Sequence, residues 1–416
     1  MLKDKKFNIY FISISIFILT IAIIRSIKMG ITCDEALTYL NFVLDSKLKF
    51  ISFTANNHLL NTYLIKLLTF ITNIKYNEFL IRIPSLSFYV IYIIYSYKLS
   101  SLYKHKYSIV SILLFNYSIN EFASLARGYT MASSIILAGI YYYKKWLLEK
   151  ENKNLIKSLF LILISSFANT ITLIIFGCFT IDAIIRIIKR KQLLDFIKTN
   201  KLFIILISII SLFLLVYHIY IFYNDNYISY CTEDFFNCII YNTIKYYGIE
   251  FINPELLIYF ILMLIFFAII NLKYINIEYN FFYMIIILFV LFIILKYILS
   301  FNFFIGRSLI PFHSIYIICI FELLELFNKN KLINVMLIVI TTICGYAFVL
   351  KTNTNYVREW IYDSQIKELA KKAYINNKQI SIDNFEIGQK QALIFYNEKY
   401  ILLYKYHLIK NQRINS

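Results

Sequence analysis

Apolar stretches long enough to cross a bilayer recur from one end of this chain to the other, and that repetition limits the fold before any single residue is considered. About 17–25 apolar residues, rising about 1.5 Å each, cover roughly 30 Å of hydrocarbon. Runs approaching this length lie at about 8–26, 84–99, 107–122, 129–143, 155–171, 172–188, 202–222, 255–272, 281–300, 309–327 and 332–350. With 60% hydrophobic residues over 416 positions and a mean hydropathy of +0.66, the chain lies outside the range of soluble globular proteins. The expected fold class is an all-α polytopic membrane protein with about eleven transmembrane helices.

The net charge of +18 would suit a nucleic-acid surface if it lay on one soluble face, but the basic residues sit in the short breaks between apolar runs. This excludes nucleic acid as a partner and sets topology instead. If the amino terminus is cytoplasmic, the inner segments carry 20 Lys and Arg and the short outer ones about half as many. The expected location is the inner (cytoplasmic) membrane, multi-pass, with the carboxyl terminus periplasmic. Residues 1–350 form the membrane domain and 351–416 a small C-terminal domain, with a helical pattern at 356–374 and strand-like runs at 378–382, 392–396 and 400–406.

The first outer loop, about 28–83, is too apolar for a mere connection. Asp34, Thr38, Asn41 and Asp45 recur at helical steps opposite Leu37, Leu40, Leu44 and Leu48. His58, Thr62, Lys66, Thr69 and Asn73 do the same opposite Leu60, Leu64, Leu67 and Leu68. Two interfacial helices are expected here. Counting the second as a span would put basic loops on the wrong side. The six cysteines show no zinc-like spacing, and Cys231 and Cys238, the one close pair, suit either a disulfide in an oxidising compartment or two thiols.

Four stretches on the outer face then occur in order: "DEALTYL", "NHLLNTYLIKLL", "RIPSLSFYVIYIIY" and "LARGYTM". In these the chain resembles the membrane glycosyltransferases of the GT-C fold, in the branch of the protein O-mannosyltransferases and the lipid A aminoarabinose transferase. The likeness covers about residues 1–150, and His58-Leu59-Leu60 departs from it where the family usually has prolines. The resemblance implies an inverting transferase that moves a monosaccharide from a polyprenyl-phosphate donor to a glycolipid, surface polysaccharide or protein acceptor, with the lipid bilayer as its other partner. It implies Asp34 as the base, with Glu35 beside it. A carboxylate near lipid suits that work because desolvation makes it a better proton acceptor. The same pair also suits the positive end of a helix dipole.

The leaving phosphate needs a cation at the outer interface. Arg127 and, second, Arg307 offer the guanidinium fork, although each also suits snorkelling to headgroups. Glu121 is placed to pair with Arg127, and Arg82 with Asp34, Glu35 or Glu78. His58 is a candidate for orienting the acceptor or binding a divalent metal, a dependence left open, and Tyr129 for stacking on sugar. A rival class is a secondary transporter or lipid-linked oligosaccharide flippase, which would show helix breaks and ionisable groups near the membrane centre. A non-catalytic assembly subunit would leave the acidic pair without a role.

Overall fold

The structure is a computed structural model that describes residues 4–44, 57–224, 230–231, 242–247, 284–297, 303–304, 306–325, 331–376 and 389–401. It is almost entirely helical: α1 (Lys5–Lys28), α2 (Cys33–Thr38), α3 (Leu59–Thr72), α4 (Glu78–Ser100), α5 (Lys106–Leu114), α6 (Tyr117–Ala123), α7 (Gly128–Glu149), α8 (Asn152–Ala168) and α9 (Thr172–Lys189) come first. Then follow α10 (Leu193–Thr199), α11 (Lys201–Asn224), α12 (Asn242–Tyr247), α13 (Met284–Tyr297), a 3-10 turn Gly306–Phe312 leading into α14 (His313–Glu325), α15 (Lys331–Lys351), a second 3-10 segment Arg358–Gln365 and α16 (Ile366–Ile375). A last helix, α17, covers 389–401. The only sheet among the described residues is a two-residue antiparallel pairing of Tyr230–Cys231 with Phe303–Phe304.

The described apolar runs all fall on helices, and the run at 255–272 lies outside the described residues, as does Cys238. Among the described residues four helical stretches are long and apolar enough to cross a membrane (Lys5–Lys28, Glu78–Ser100, Gly306–Glu325 and Ile333–Lys351), or five if the bent pair Leu193–Thr199 and Lys201–Tyr217 is one span. These helices leave bulky apolar side chains such as Ile12, Ile16, Leu212 and Ile338 uncovered, the surface that lipid rather than water would wet. The chain is a helical membrane protein. The run at 107–122 is broken: Asn116 ends the break by accepting a hydrogen bond from Ile119 N (3.2 Å) as the cap of α6.

Small residues set the tightest crossing. A Cβ on Gly139 of α7 would lie 2.5 Å from Ile162 Cγ1 of α8, so only glycine lets these two helices approach so closely. In α3 the pattern is inverted relative to a soluble helix. His58 at its cap, Asn61 and Thr62 are buried against protein, while Tyr63, Leu67, Phe70 and Ile71 face outward, as expected of a helix lying in a lipid interface.

The tail does not form the expected strand at 392–396. Ala392, Leu393, Tyr396 and Tyr400 recur at steps of one, three and four, a helical period, and residues 389–401 are helical. The run at 378–382 lies outside the described residues, and of the run at 400–406 only residues 400 and 401 are described, both helical. Nor does the tail stand apart: Ile366, Leu393 and Phe395 share one core with Ile31, Ala36, Tyr39 and Ile81. Tyr396 accepts a hydrogen bond from Ile31 N (2.9 Å), and Lys367 and Lys399 both pair with Glu78.

At the opposite end of the helices, Asp4 caps α1 and pairs with Lys106 (2.6 Å), while Glu322 holds Lys144 (2.6 Å) and the Tyr103 hydroxyl (2.5 Å). The end that carries the site is fastened by Arg82. Its Nε and Nη2 donate to the two Glu35 oxygens (2.9 and 2.7 Å), and the other donors reach the carbonyls of Ser26 (3.0 Å), Met29 (2.9 Å) and Gly30 (2.7 Å) at the finish of α1. Both side chains are fully buried. Arg82→Gln leaves the Glu35 charge buried without its partner, a change that costs about 3–5 kcal/mol. Thermal unfolding of the detergent-solubilised variant will show a large loss, and a melting point equal to the wild type's would contradict this account.

Candidate functional site

The site starts at the capping box of α2. Thr32 Oγ1 accepts from Glu35 N (3.3 Å) and Glu35 Oε2 accepts from Thr32 N (2.9 Å), so the helix must begin at Cys33. Glu35 also accepts from Ala126 N (2.6 Å). Together with Arg82 this occupies both of its oxygens: Arg82 takes Glu35, one of the three acids expected for it, and the pair is a strut that holds α1, α2, α4 and the entry to α7 together.

Asp34 precedes Glu35 by one residue and so points about 100° around the helix. Its side chain keeps 14% exposure, and its Oδ2 lies 2.8 Å from Arg307 Nη2 and 3.4 Å from Arg127 Nη2. Arg127, at the cap of α7, is buried and donates from Nη1 to Thr38 Oγ1 (3.2 Å) and the Asp34 carbonyl (3.4 Å). Arg307 opens the 3-10 turn before α14. Its Nε donates to the Tyr129 hydroxyl (3.1 Å), its Nη1 to Glu359 Oε2 (2.5 Å), and its guanidinium lies 4.7 Å from the centre of the Trp360 ring. Four of the sequence-expected residues, Asp34, Arg127, Tyr129 and Arg307, thus meet.

His58 joins them. Its Nδ1 donates to the Ala168 carbonyl (2.7 Å), which can only accept, so Nε2 carries the lone pair. The ring stands edge-on to Tyr129 with centroids 4.7 Å apart. Burial, then the Arg127 and Arg307 charges, hold its pKa well below the usual imidazole value, so His58 is neutral at physiological pH. Among the described residues its Nε2 meets no hydrogen-bond partner. No group of three or more His, Cys, Asp or Glu among the described residues is arranged to hold a metal ion. No step below is routed through one.

Sequence reasoning missed the roof. Residues 353–363, leaving α15, cross the site: Arg25 donates to the carbonyls of Asn353 and Tyr356, Asp363 accepts from Cys33 N (2.6 Å), and Glu359 pairs with Arg307 and accepts from the Tyr246 hydroxyl. Glu121 does not take Arg127 as expected. Its Oε1 accepts from Arg25 (3.2 Å), the Tyr117 hydroxyl (2.6 Å) and Arg358 N (3.1 Å), tying the roof to α6. The amphipathic stretch "YVREWIYDS" was visible as a helical pattern, yet nothing local to it revealed that Glu359 and Trp360 would face Arg307.

Burial, with Glu121 and Asp34 alongside, pushes the Glu359 carboxyl up to about 8, and burial pushes Asp363 to about 6. A carboxyl raised in the folded state binds more protons than the unfolded chain, so stability falls as pH rises towards and through that value. Above about pH 7 Asp363 has largely ionised, which leaves Glu359 as the remaining raised carboxyl of the roof. Between about pH 7 and about pH 9 the wild type will lose melting temperature and Glu359→Gln will lose clearly less; parallel curves for the two would refute the assignment. Compared with protein-family models, curated proteins and solved structures, the chain has no match, so its function is argued from this site.

Proposed function

We propose that this cluster is the active site of an inverting glycosyltransferase of the GT-C type that takes a monosaccharide from a polyprenyl-phosphate donor at the outer face of the cytoplasmic membrane. The acceptor is a glycolipid, a surface polysaccharide precursor or, as second choice, a protein. The observation that carries this reading is Asp34: a partly exposed carboxylate held by two arginines from separate parts of the chain while its neighbour Glu35 is wholly engaged in structure.

A donor phosphate is a better match to two guanidinium forks than a single carboxylate is. On binding it takes over contacts of Arg307 and Arg127, and Asp34 is released with its negative charge in a poorly hydrated place, where its proton affinity rises. Asp34 then removes the proton from the acceptor hydroxyl as that oxygen bonds to the anomeric carbon from the face opposite the phosphate. The bond from the anomeric carbon to the phosphate oxygen breaks, and polyprenyl phosphate leaves on the two arginines. His58 Nε2, a neutral acceptor, suits a hydroxyl of the sugar or of the acceptor. The Tyr129 and Trp360 rings, which flank Arg307, supply apolar faces for a pyranose.

One observation favours the rival transporter or flippase. The break between α5 and α6 meets the point where the Pro311-containing 3-10 turn continues into α14, where Asn116 Nδ2 lies 3.0 Å from His313 Nδ1. Broken helices with an ionisable group are what such proteins use.

Radiolabelled polyprenyl-phosphate sugars incubated with membranes separate the two. Asp34→Asn keeps the shape of the side chain and removes the base, so transfer should fall by at least about 100-fold. Turnover equal to the wild type's would sink the base assignment. Movement of the labelled lipid between leaflets without transfer, abolished by His313→Ala and untouched by Asp34→Asn, would favour the rival.

A further inference from the structure

At the end of the helices away from Asp34, the chain turns sharply twice between α9 and α11. At the first corner Lys191 takes a left-handed backbone conformation (φ 56°), and Lys191 N and Gln192 N donate to the carbonyls of Ile188 (2.9 Å) and Ile187 (3.2 Å). Arg190 pins this corner to α7, its guanidinium 5.0 Å from the centre of the buried Trp146 ring. At the second corner Asn200 N and Nδ2 both donate to Phe196 O (3.1 and 2.9 Å), while Asn200 O starts the next helix by accepting from Ile204 N (3.0 Å). The result is a bend of 87° between α10 and α11. Because α11 is apolar along its length, a perpendicular α10 lies along the membrane surface.

The faces of α10 are sorted accordingly. Leu193 and Phe196 pack on the core of the protein. Leu194 (71% exposed) and Ile197 (43%), turned about 100° from those two, are uncovered, as is Leu202 (84%) at the head of α11. Around this apolar strip stand the exposed Lys189, Lys191, Lys198 and Lys201, and Asp195 is the only acidic residue between 189 and 201. Apolar side chains that dip below a surface, ringed by lysines able to snorkel back to it, match a surface-lying helix on anionic lipid.

We propose that this elbow is a binding site for anionic phospholipid headgroups, the phosphodiester of a negatively charged lipid such as phosphatidylglycerol lying among Lys189, Lys191, Lys198 and Lys201 while its acyl chains cover Leu194, Ile197 and Leu202. A soluble anion would match the lysines but leave the leucines in water, and a soluble protein partner would have to reach them through the headgroup layer. The site fastens α9 and α11 to one leaflet. Its argument does not depend on what the Asp34 cluster catalyses.

The test uses the full chain in nanodiscs of mixed phosphatidylcholine and phosphatidylglycerol, with spin-labelled versions of each lipid. Electron paramagnetic resonance reads the fraction of each that the protein immobilises. The wild type should hold phosphatidylglycerol about 3- to 10-fold in preference to phosphatidylcholine, and the preference should shrink as salt is raised. Changing Lys189, Lys191, Lys198 and Lys201 together to Gln should remove most of it, while Lys28→Gln with Lys75→Gln, at the other end of the helices, should leave it unchanged. Leu194→Ser with Ile197→Ser should weaken it at full charge; if it does not, the apolar half of the site is wrong. No preference in the wild type, a preference insensitive to salt, or one that survives the fourfold change would overturn the proposal. Loss of the preference to added inorganic phosphate at constant ionic strength would assign the lysines to a soluble anion instead.

Discussion

Five N–H groups of one guanidinium and five oxygens from α1, the turn after it and α2 meet at Arg82, buried among three helices. A lone arginine there would be prohibitively unfavourable, since transferring its charge out of water is not recovered by any one partner. What makes it tolerable is the unfinished end of α1. The last carbonyls of a helix lack internal partners and carry partial negative charge. Arg82 satisfies those of Ser26, Met29 and Gly30 while Glu35 neutralises it. Because Glu35 is also the third residue of the capping box, the same side chain fixes where α2 starts and how it is rotated. The direction of Asp34 follows from that rotation.

The Asp34 cluster works under a different rule. It sets Arg127 and Arg307 around Asp34 and Arg25 on Glu121, while Arg307 also bonds the Glu359 carboxyl, whose raised pKa keeps it largely protonated near neutral pH. In the proposed reaction a donor phosphate would replace Asp34 on these arginines at little cost, because they stay neutralised in both states. The Arg82 knot does not suit this: three of its donors are taken by backbone carbonyls that finish α1, and Glu35 is itself fixed by the capping box. Structural and exchangeable contacts are thus divided between Arg82 on one side and Arg127 and Arg307 on the other, three arginines that look alike in sequence.

This difference marks what was legible in the residues and what was not. Hydrophobic run length located the long apolar helices among the described residues, and the inverted polarity of α3 was readable from His58 and Thr62 opposite Leu64, since a period of 3.6 is a local property. For Arg82 the acidic partner was narrowed to three residues, but that Arg127 and Arg307 share Asp34, and that Arg307 meets Glu359, was not readable, because those contacts join residues far apart in the chain. Glu359 lies 52 residues from Arg307, and Asp34 lies 273 from it. The strand expected at 392–396 failed for a related reason. A short run such as Ala-Leu-Ile-Phe-Tyr is ambiguous by itself, and its helical state is stabilised by burying Leu393, Phe395 and Tyr396 against Ile31 and Ile81 of the first loop.

The adjacent carboxylates Asp34 and Glu35 show how much a single step along a helix can decide. One residue of rotation, about 100°, separates a fully buried carboxylate engaged by Arg82, Thr32 and Ala126 from a partly exposed one shared between two arginines. The extra methylene of Glu35 lets it reach back to Thr32 N and across to Arg82 at once, which the shorter Asp34 could not do from the same turn. Exchanging the two residue types would therefore damage both tasks: an aspartate would fall short of the capping box, and a glutamate would overreach the pocket between Arg127 and Arg307. The order Asp before Glu is itself a requirement of this geometry. It places the longer acid where the fold needs reach and the shorter one between two guanidinium groups, where the proposed reaction would use it as the proton acceptor.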